Sequence, residues 1–267
     1  MKPEISIIIP CYNHGEYVRE AIESVLKSTV IEICEIIVVN DGSTDPYTIQ
    51  VIQELENEGI KVINQQNQGL GRTRNNGIRI AKGKYILPLD ADNTISPDFI
   101  ENVLAVFEIY PSESIIYTDR EFFGKKKGID HVGNFDLERM MYMNYIDACA
   151  IYRKEVWEKI GGYDENMPIM GWEDWDFWLS AAEQDFKFHY IPKPLFQYRV
   201  VENSMLQELQ NNLKYEILVE YINKKHIRIL YKSYQKVYPQ FSISMFEKQH
   251  PLRTFVKYIV KWLLQKH

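Results

Sequence analysis

The sequence predicts an α/β fold in which a mostly parallel, Rossmann-like sheet is covered by helices on both faces. Over the first hundred residues, short β-branched runs alternate with helical patterns. The runs are apolar throughout, as in strands that are buried on both faces, and three of them end in polar loops. Connections of this kind are right-handed, and ligands bind beyond the carboxyl ends of the strands. We therefore expect a ligand site where these loops meet.

Four strands and three helices make up the alternating region. The strands are expected at 4–10, 34–40, 60–64 and 84–90, and the helices at roughly 15–28, 45–58 and 71–82. Further on, the sequence predicts a strand and an exposed hairpin over 114–130, with Lys125–Lys127 at the tip, then a helix, a strand and another helix start over 134–157, and polar helix over 204–238.

Composition and charge exclude several classes of protein. A chain of 267 residues can form one large domain, or one domain with an appendage. The sequence shows no signal peptide and no apolar run as long as a membrane span. Its three cysteines lack the spacing of a metal site, which indicates reduced thiols in a cytosolic protein. Residues 205–267 hold 11 Lys/Arg and 4 Asp/Glu, although the whole chain carries −6. Since the body is acidic and lacks a recognition motif, we do not expect nucleic acid binding.

The C-terminal segment 251–267 has the pattern of an amphipathic helix. Its apolar face is formed by Leu252, Phe255, Val256, Ile259, Val260 and Leu263, and its basic stripe by Arg253, Lys257 and Lys261. This pattern is typical of a peripheral helix on the inner face of a membrane. A helix docked on its own domain or on a second subunit in a homodimer fits equally well, so both interpretations stay open.

Asp90 and Asp92 follow the fourth predicted strand, one residue apart. In an extended segment alternate side chains point the same way, so the two carboxylates can share a target. Such a pair repels itself unless a cation lies near, and two hard oxygen ligands suit Mg²⁺ or Mn²⁺ with phosphate oxygens and water. The alternative is a turn or helix cap, but Ser96 and Pro97 are expected to begin the next helix themselves. The sequence favours a metal site.

The loops after the first and second strands offer groups for a nucleoside. Tyr12 could stack on a base, Asn13 could make a polar contact, and Asp41 could accept a hydrogen bond from a base or ribose. Each has an ordinary alternative: a plain loop for the first two residues, and a turn that caps the next helix for Asp41. Similarly, the glycines in 67–77 and the arginines Arg72 and Arg74 could bind a phosphate or could form an exposed turn.

These motifs resemble those of the family 2 glycosyltransferases in both order and spacing. The resemblance covers about 4–204 and is carried by SIIIPCYN, IIVVNDGSTD, NQGLGRTRNNG, LPLDADN, GGYDENMPIMGWEDWDFWLSA and PLFQYR. It implies a GT-A fold over 1–204, with a nucleotide-sugar part at about 1–95 and an acceptor part at about 96–204, and it leaves 205–267 as a helical extension. It also implies a nucleotide-sugar donor, usually a UDP-sugar, a divalent metal, and inversion at the anomeric carbon.

The resemblance assigns a role to particular positions. The donor would be bound by Pro10, Tyr12, Asn13, Asp41, Asn67, Arg74 and Asp90. Asp92 would hold the metal, Asp174 would be the catalytic base, and Trp172 and Glu173 would face the acceptor. Trp175 and Trp178 are expected to be mostly core.

One feature departs from the family pattern. Many relatives have a metal-binding His soon after the position of Arg199, and the run YRVVENSM has none. Arg199 could instead help to neutralise the diphosphate. The middle segment from Asn144 to Ala148 is expected to shape the sugar and acceptor pockets. As alternatives to glycosyl transfer to a glycan or lipid-linked glycan, a sugar-phosphate nucleotidyltransferase would use a similar fold and metal, and a glycan-binding module would lack activity.

Overall fold

The computed structural model describes residues 2–201 and 212–264. The chain forms two compact units, Met1–Ile222 and Asn223–His267. The boundary predicted at 204/205 lies outside the described residues.

The sheet of the first unit agrees with the predicted, mostly parallel α/β fold and also contains antiparallel pairings. Its nine strands are β1 (Ile5–Cys11), β2 (Cys34–Asn40), β3 (Lys61–Asn64), β4 (Tyr85–Pro88), β5 (Thr94–Ile95), β6 (Ile115–Gly124), β7 (Gly128–Asp130), β8 (Ile151–Arg153) and β9 (Phe188–Val200), in the order β3-β2-β1-β4-β8-β6-β9-β5 with β7 on β6. β1 pairs in parallel with β2 and β4, and β2 with β3, so the first four strands form one parallel block. β8 runs antiparallel between β4 and β6, which joins this block to the later strands of the sheet.

Helices cover both faces of the sheet, as expected. They are α1 (Gly15–Leu26), α2 (Pro46–Asn57), α3 (Leu70–Ile80), α4 (Phe99–Ile109), α5 (Leu137–Tyr142), α6 (Lys154–Ile160) and α7 (Glu173–Glu183). The chain continues in α8 (Asn212–Lys225), and the second unit holds α9 (Ile227–Gln249) and α10 (Pro251–Leu264). Alternate residues of β1 enter opposite cores, because strand side chains alternate. Ile7 packs in the core that α1, α2 and α4 cover, and Ile8 in the core that α3 and α7 cover.

The start of α4 differs from the prediction. Ser96 and Pro97 do not open the helix, which begins at Phe99 after Asp98. The Ser96 hydroxyl donates to the Asp98 carboxylate (2.7 Å), and the N–H of Phe99 donates to the Ser96 carbonyl (3.1 Å). A turn therefore precedes the helix, because the serine side chain bonds the neighbouring carboxylate rather than the helical N–H groups.

Several other sequence predictions for local structure are confirmed, whereas the first residues of the helix predicted over 204–238 lie outside the described residues. The hairpin β6–β7 has exposed lysines at its tip, and α5, β8 and α6 follow in the predicted order. The tail is helical from Asn212 to Leu264 apart from two short breaks, with Pro239 inside α9. Among the residues that the structure describes, no helix has both the length and the hydropathy of a membrane span.

Candidate active site

Asn13 joins the loop after β1 to the loop after β2. Its Oδ1 accepts hydrogen bonds from the N–H groups of Thr44 (2.8 Å) and Asp45 (3.0 Å), and its own N–H donates to Ser43 Oγ (3.0 Å). Asn13 has a φ of 54°, in the left-handed region that asparagine tolerates better than most residues. Tyr12, next to it, is 46% exposed, so its ring is open to a ligand.

Asp41 is buried and holds the loop after β3. Its Oδ1 accepts from Gln65 Nε2 (2.7 Å) and the Gln68 N–H (2.8 Å), and its Oδ2 accepts from the Gly69 N–H (3.0 Å). The capping alternative is wrong, since Asp45 caps α2. Because a carboxylate can accept about four hydrogen bonds, a further contact to a nucleobase remains compatible with this geometry and stays a prediction.

Gly42 allows the loop after β3 to approach the loop after β2. It has a φ of +70°, and a Cβ there would lie 2.6 Å from the backbone nitrogen of Asn67. Pro10 is buried in β1, and the side chain of Asn67 is exposed. Their predicted roles in donor binding stay predictions. Arg72, which could have bound a phosphate, has its Nε 3.3 Å from a carboxylate oxygen of Glu165.

Arg74 lies at the centre of the site. Its side chain is 2% exposed, and its Nη2 donates to Asp90 Oδ1 at 2.7 Å. Burial lowers the pKa of its guanidinium, but the charges of Asp90, Glu173 and Asp174 contribute to a net increase, so it is a permanent cation. Its Nε has no hydrogen-bond partner among the described residues. Asp90 after β4 and the acids at the start of α7 therefore share one buried positive charge.

The Asp90–Asp92 segment is a turn and not an extended strand, so this part of the prediction is wrong. The N–H of Asn93 donates to the Asp90 carbonyl (3.0 Å), which closes the turn. Burial and the charge of Asp90 raise the pKa of the Asp92 carboxyl to about 6, and His14 opposes the shift. The charge of Asp90 therefore still acts on the Asp92 carboxylate although the backbone turns between them.

The carboxylates of this turn fit a divalent cation whose other ligands are waters and substrate phosphates. Asp90 is already paired with Arg74, whereas the Asp92 carboxylate is destabilised by burial and by its neighbour. A hard cation would offset that cost. No group of three His, Cys, Asp or Glu side chains suited to a metal exists within residues 2–201 and 212–264. Mg²⁺ and similar ions often bind through one or two carboxylates with waters and substrate phosphates, so this sparse set is compatible with Asp92 as a ligand.

Asp174 lies at the first turn of α7 and faces the segment from Asn144 onward. Its Oδ2 accepts from Asn144 Nδ2 (2.9 Å), and its Oδ1 accepts from the Trp175 N–H (2.8 Å). The two predicted core tryptophans bond the chain on either side of Asn144: Trp175 Nε1 donates to the Met140 carbonyl (2.5 Å) and Trp178 Nε1 to the Ile146 carbonyl (3.1 Å). Both tryptophans are buried, as expected.

The environment of Asp174 suits proton transfer near neutral pH. Burial raises the pKa of its carboxyl, Arg74 opposes the shift, and Asp147 and Glu173 add to it, so that the pKa reaches about 7. A base with a pKa near the working pH is efficient in proton transfer.

Glu173 and Trp172 make contacts that shape the loop before α7. Glu173 is 2% exposed, and its Oε2 accepts from the Gly171 N–H (2.8 Å). The Trp172 ring packs edge-on against Trp175 (centroids 4.8 Å apart) and Tyr215 (5.4 Å). Neither contact points to an acceptor, so the acceptor roles of these two residues stay predictions.

Arg199 supports the Asp90–Asp92 turn. Its Nε donates to the backbone carbonyl of Asp92 (3.0 Å), and its Nη2 is paired with Glu20. The guanidinium lies between the rings of Tyr17 (4.7 Å to the centroid) and Phe123 (4.2 Å). With these partners the side chain positions the turn, and direct contact with a diphosphate stays a prediction.

Asp147 is the site residue that the sequence did not single out. It lies within the Asn144–Ala148 segment, accepts from the Cys149 N–H (2.9 Å), and has Arg120 Nη1 at 3.4 Å. Burial raises the pKa of its carboxyl, while Arg120 opposes the shift and Asp90 adds to it. The sequence signal for Asp147 is its position as the one acid in the apolar run YIDACAI, because a lone charge among core residues is rare without a partner.

Comparison with known proteins identifies the family. The sequence profile described as Glycosyl transferase family 2 matches residues 6–161, more than half of the chain. The chain belongs to glycosyl transferase family 2. The matched region includes nearly all of β1, β2 and the Asp90–Asp92 turn, and it ends at Gly161, the first residue of the GGYDE segment that leads to α7.

Two curated relatives are longer than this chain. EpsH of Bacillus subtilis is 31% identical over 228 residues, which are 79% of this chain and 65% of EpsH. The chondroitin synthase of Escherichia coli is 28% identical over 247 residues, which are 87% of this chain and 34% of the synthase. The chain thus spans less than two thirds of the length of either relative.

A solved structure shows the same fold. S. aureus TarS 1-349 in complex with UDP-GlcNAc superposes with a TM-score of 0.68 at 19% identity, over 87% of this chain and 73% of that chain. This family member therefore has the GT-A fold, as the sequence motifs predict. The α/β sheet, its helices on both faces and the C-terminal helices all agree with that assignment.

Proposed function

We propose that this chain is an inverting, metal-dependent glycosyltransferase. It moves a sugar from a nucleotide sugar, a UDP-sugar, to a hydroxyl of a glycan or lipid-linked glycan in polysaccharide or cell-surface glycan synthesis. Family membership supports the reaction class. The UDP-GlcNAc complex of TarS supports the choice of donor, and the relationship to a chondroitin synthase supports a polysaccharide product.

The observation that carries the proposal is the position of Arg74. This buried cation bonds Asp90 after β4 and interacts with Asp174 at the start of α7. The turn that would bind the diphosphate is thereby held close to a carboxyl that can act as a base. A glycosyl transfer needs both features in one cleft.

The donor would lie across the carboxyl ends of β1, β2 and β4. The exposed ring of Tyr12 offers a stacking surface for the base, and Asp41 and Asn67 lie on the two loops that meet there. Asn13 links the loop after β1 to the loop after β2 through its side-chain oxygen. Mn²⁺ or Mg²⁺ held by Asp92 would stabilise the charge that develops on the leaving diphosphate.

A residue of the chain would then accept the proton of the acceptor hydroxyl. Asp174 in its ionised form takes the proton from the acceptor hydroxyl as that oxygen forms its bond to the anomeric carbon. The bond between the anomeric carbon and the diphosphate oxygen breaks, and UDP leaves with the electron pair on the opposite side of the sugar. Asn144 and the Trp175 N–H hold the carboxylate in place through this step.

The location that fits this reaction is the cytoplasmic side of a membrane, where nucleotide sugars and lipid-linked acceptors meet. We propose peripheral contact through the C-terminal helices, and that surface is treated separately below.

Incubation with a panel of UDP-sugars, Mn²⁺ and oligosaccharide or lipid-linked acceptors tests the proposal. Phosphorus NMR should show UDP as the product, and proton NMR should show an inverted anomeric configuration. The variant Asp174→Asn should form little UDP, and Glu183→Gln, an exposed acid at the other end of α7, should match the wild type. Formation of UTP from added pyrophosphate would instead indicate a nucleotidyltransferase, and binding without any product would indicate a glycan-binding module.

A further inference from the structure

The two helices of the second unit both carry an exposed apolar stripe. On α9 the stripe follows helical spacing and consists of Ile227, Tyr231, Tyr234, Tyr238, Phe241 and Met245, each 39–59% exposed. On α10 it consists of Leu252, Phe255, Val256 and Ile259, each 41–81% exposed. A stripe of this length on the surface usually marks an interaction site, whereas single exposed apolar residues are common.

Each of the two helices also carries basic residues, which lie beside and opposite its apolar stripe. At about 100° per residue, Arg228, Lys232 and Lys236 lie about 100–180° round the helix from Ile227. Arg253 and Lys257 lie about 100–140° round the helix from Leu252. The two helices therefore repeat one arrangement, with the positive charge on the same side of the apolar face.

The charge of this unit is strongly one-sided. Residues 223–267 contain ten Lys or Arg and a single acid, Glu247, whereas the rest of the chain has an excess of acids. Glu247 already has partners within the unit: Lys257 Nζ lies at 3.2 Å, and the Tyr258 hydroxyl donates to it at 3.1 Å. The unit therefore carries an excess of nine positive charges, which favours an anionic partner.

We propose that α9 and α10 together dock on an anionic lipid bilayer. The apolar stripes enter the boundary between headgroups and acyl chains, and the basic stripes meet the lipid phosphates. Tyrosine is suited to that depth because its ring is apolar and its hydroxyl is polar, and α9 places three tyrosines on its stripe. A symmetric dimer through the same faces would bring two strongly positive surfaces together, which like-charge repulsion opposes.

The inference does not rest on the proposed function, because neither stripe contains a residue of the candidate active site. It extends the amphipathic pattern of 251–267 to a unit of two helices, and it identifies the aromatic stripe of α9 as the larger part of the surface.

Co-sedimentation of the full chain with lipid vesicles tests the proposal. Wild-type protein should pellet with vesicles of phosphatidylcholine and phosphatidylglycerol and stay in solution with phosphatidylcholine alone. Raising NaCl from about 0.1 M to 0.5 M should weaken binding by ~10-fold or more, since salt screens exposed charges. The triple variant Arg228→Glu, Lys232→Glu, Lys236→Glu should lose binding.

A matched control carries the same charge change elsewhere. Lys125→Glu, Lys126→Glu, Lys127→Glu alters the exposed tip of the β6–β7 hairpin and should still pellet. A second variant, Tyr234→Ser with Phe241→Ser, removes exposed rings without a charge change and should also reduce binding. Circular dichroism shows whether each variant keeps its helices. The proposal is overturned if wild-type protein ignores anionic vesicles, if the hairpin control loses binding equally, or if the ring variant changes only the oligomeric state.

Discussion

Replacing Asp174 by Asn removes a titrating group with little change in shape. Asp174 Oδ1 can still accept from the Trp175 N–H as an amide oxygen. The new NH₂ would face the Asn144 amide, which now donates to Asp174 Oδ2 at 2.9 Å. The Oδ1 of Asn144 is buried without a partner among the described residues, so rotating that amide by 180° gives the new NH₂ an acceptor. We therefore expect the variant to fold.

The pKa of Asp174 sets the size of the effect on stability. Burial raises it to about 7 against the opposing charge of Arg74, while the unfolded chain has an ordinary value of about 3.9. The native state keeps its proton to higher pH than the unfolded state. This contribution to the free energy of unfolding is fully present below about pH 4 and is lost as the pH rises through about 7. Between pH 5 and 8 the wild type should lose about 1–3 kcal/mol from this group.

Urea unfolding of both proteins at pH 5 and pH 8, with EDTA and without nucleotide, measures this difference. The free energy of unfolding of Asp174→Asn, relative to wild type, should be greater at pH 8 than at pH 5 by about 1–3 kcal/mol. Glu183→Gln should show the same pH dependence as wild type, because that side chain is exposed. If Asp174→Asn also shows the wild-type pH dependence, the pKa of Asp174 is not raised and the reasoning fails.

The same variant should lose activity for a separate reason. An amide cannot accept the proton of the acceptor hydroxyl, so transfer should fall by ~100-fold or more, while UDP still binds. Near-normal transfer would show that another acid, such as Glu173, is the base.

Two further predictions concern the loops. Gly42→Ala should weaken UDP binding and lower the melting temperature, because the new Cβ would lie 2.6 Å from the Asn67 nitrogen at a φ of +70°; unchanged UDP affinity by calorimetry would contradict this. Arg199→Lys should lower the free energy of unfolding by ~1–2 kcal/mol, since lysine cannot reproduce the bonds to the Asp92 carbonyl and Glu20 together. A stability in urea equal to that of the wild type would mean that charge alone matters at this position.

The strands and most helices were predictable because local patterns and burial agree. β1 and β2 are continuous β-branched runs, and such runs fit a strand that is covered on both faces. The loops that follow them carry polar residues that the topology brings to one edge. The start of α4 was missed because Ser96 bonds Asp98, a choice between two short-range partners that the sequence alone does not decide.

The electrostatics of the site were less predictable. The sequence shows that Asp174, Asp147 and Arg74 exist, but their pKa values depend on burial and on neighbours far along the chain. Similarly, aspartate is a common helix-capping residue, and only the fold shows that Asp41 instead holds the loop after β3. The sequence predicts only a polar helix where the stripe on α9 lies, because its tyrosines alternate with lysines and polar residues, which lowers the mean hydropathy of the segment.

The central claim is that the Asp92 turn binds a divalent cation together with a uridine nucleotide. Calorimetric titration of UDP into the full chain, with Mn²⁺ and with EDTA, tests it most directly. Wild-type protein and Asp98→Asn should bind UDP far more tightly with Mn²⁺, and the metal should raise the melting temperature of the complex. Asp92→Ala, which removes a hard ligand and no core volume, should lose the effect of Mn²⁺ and still unfold cooperatively. UDP binding to Asp92→Ala with full Mn²⁺ dependence would contradict the account.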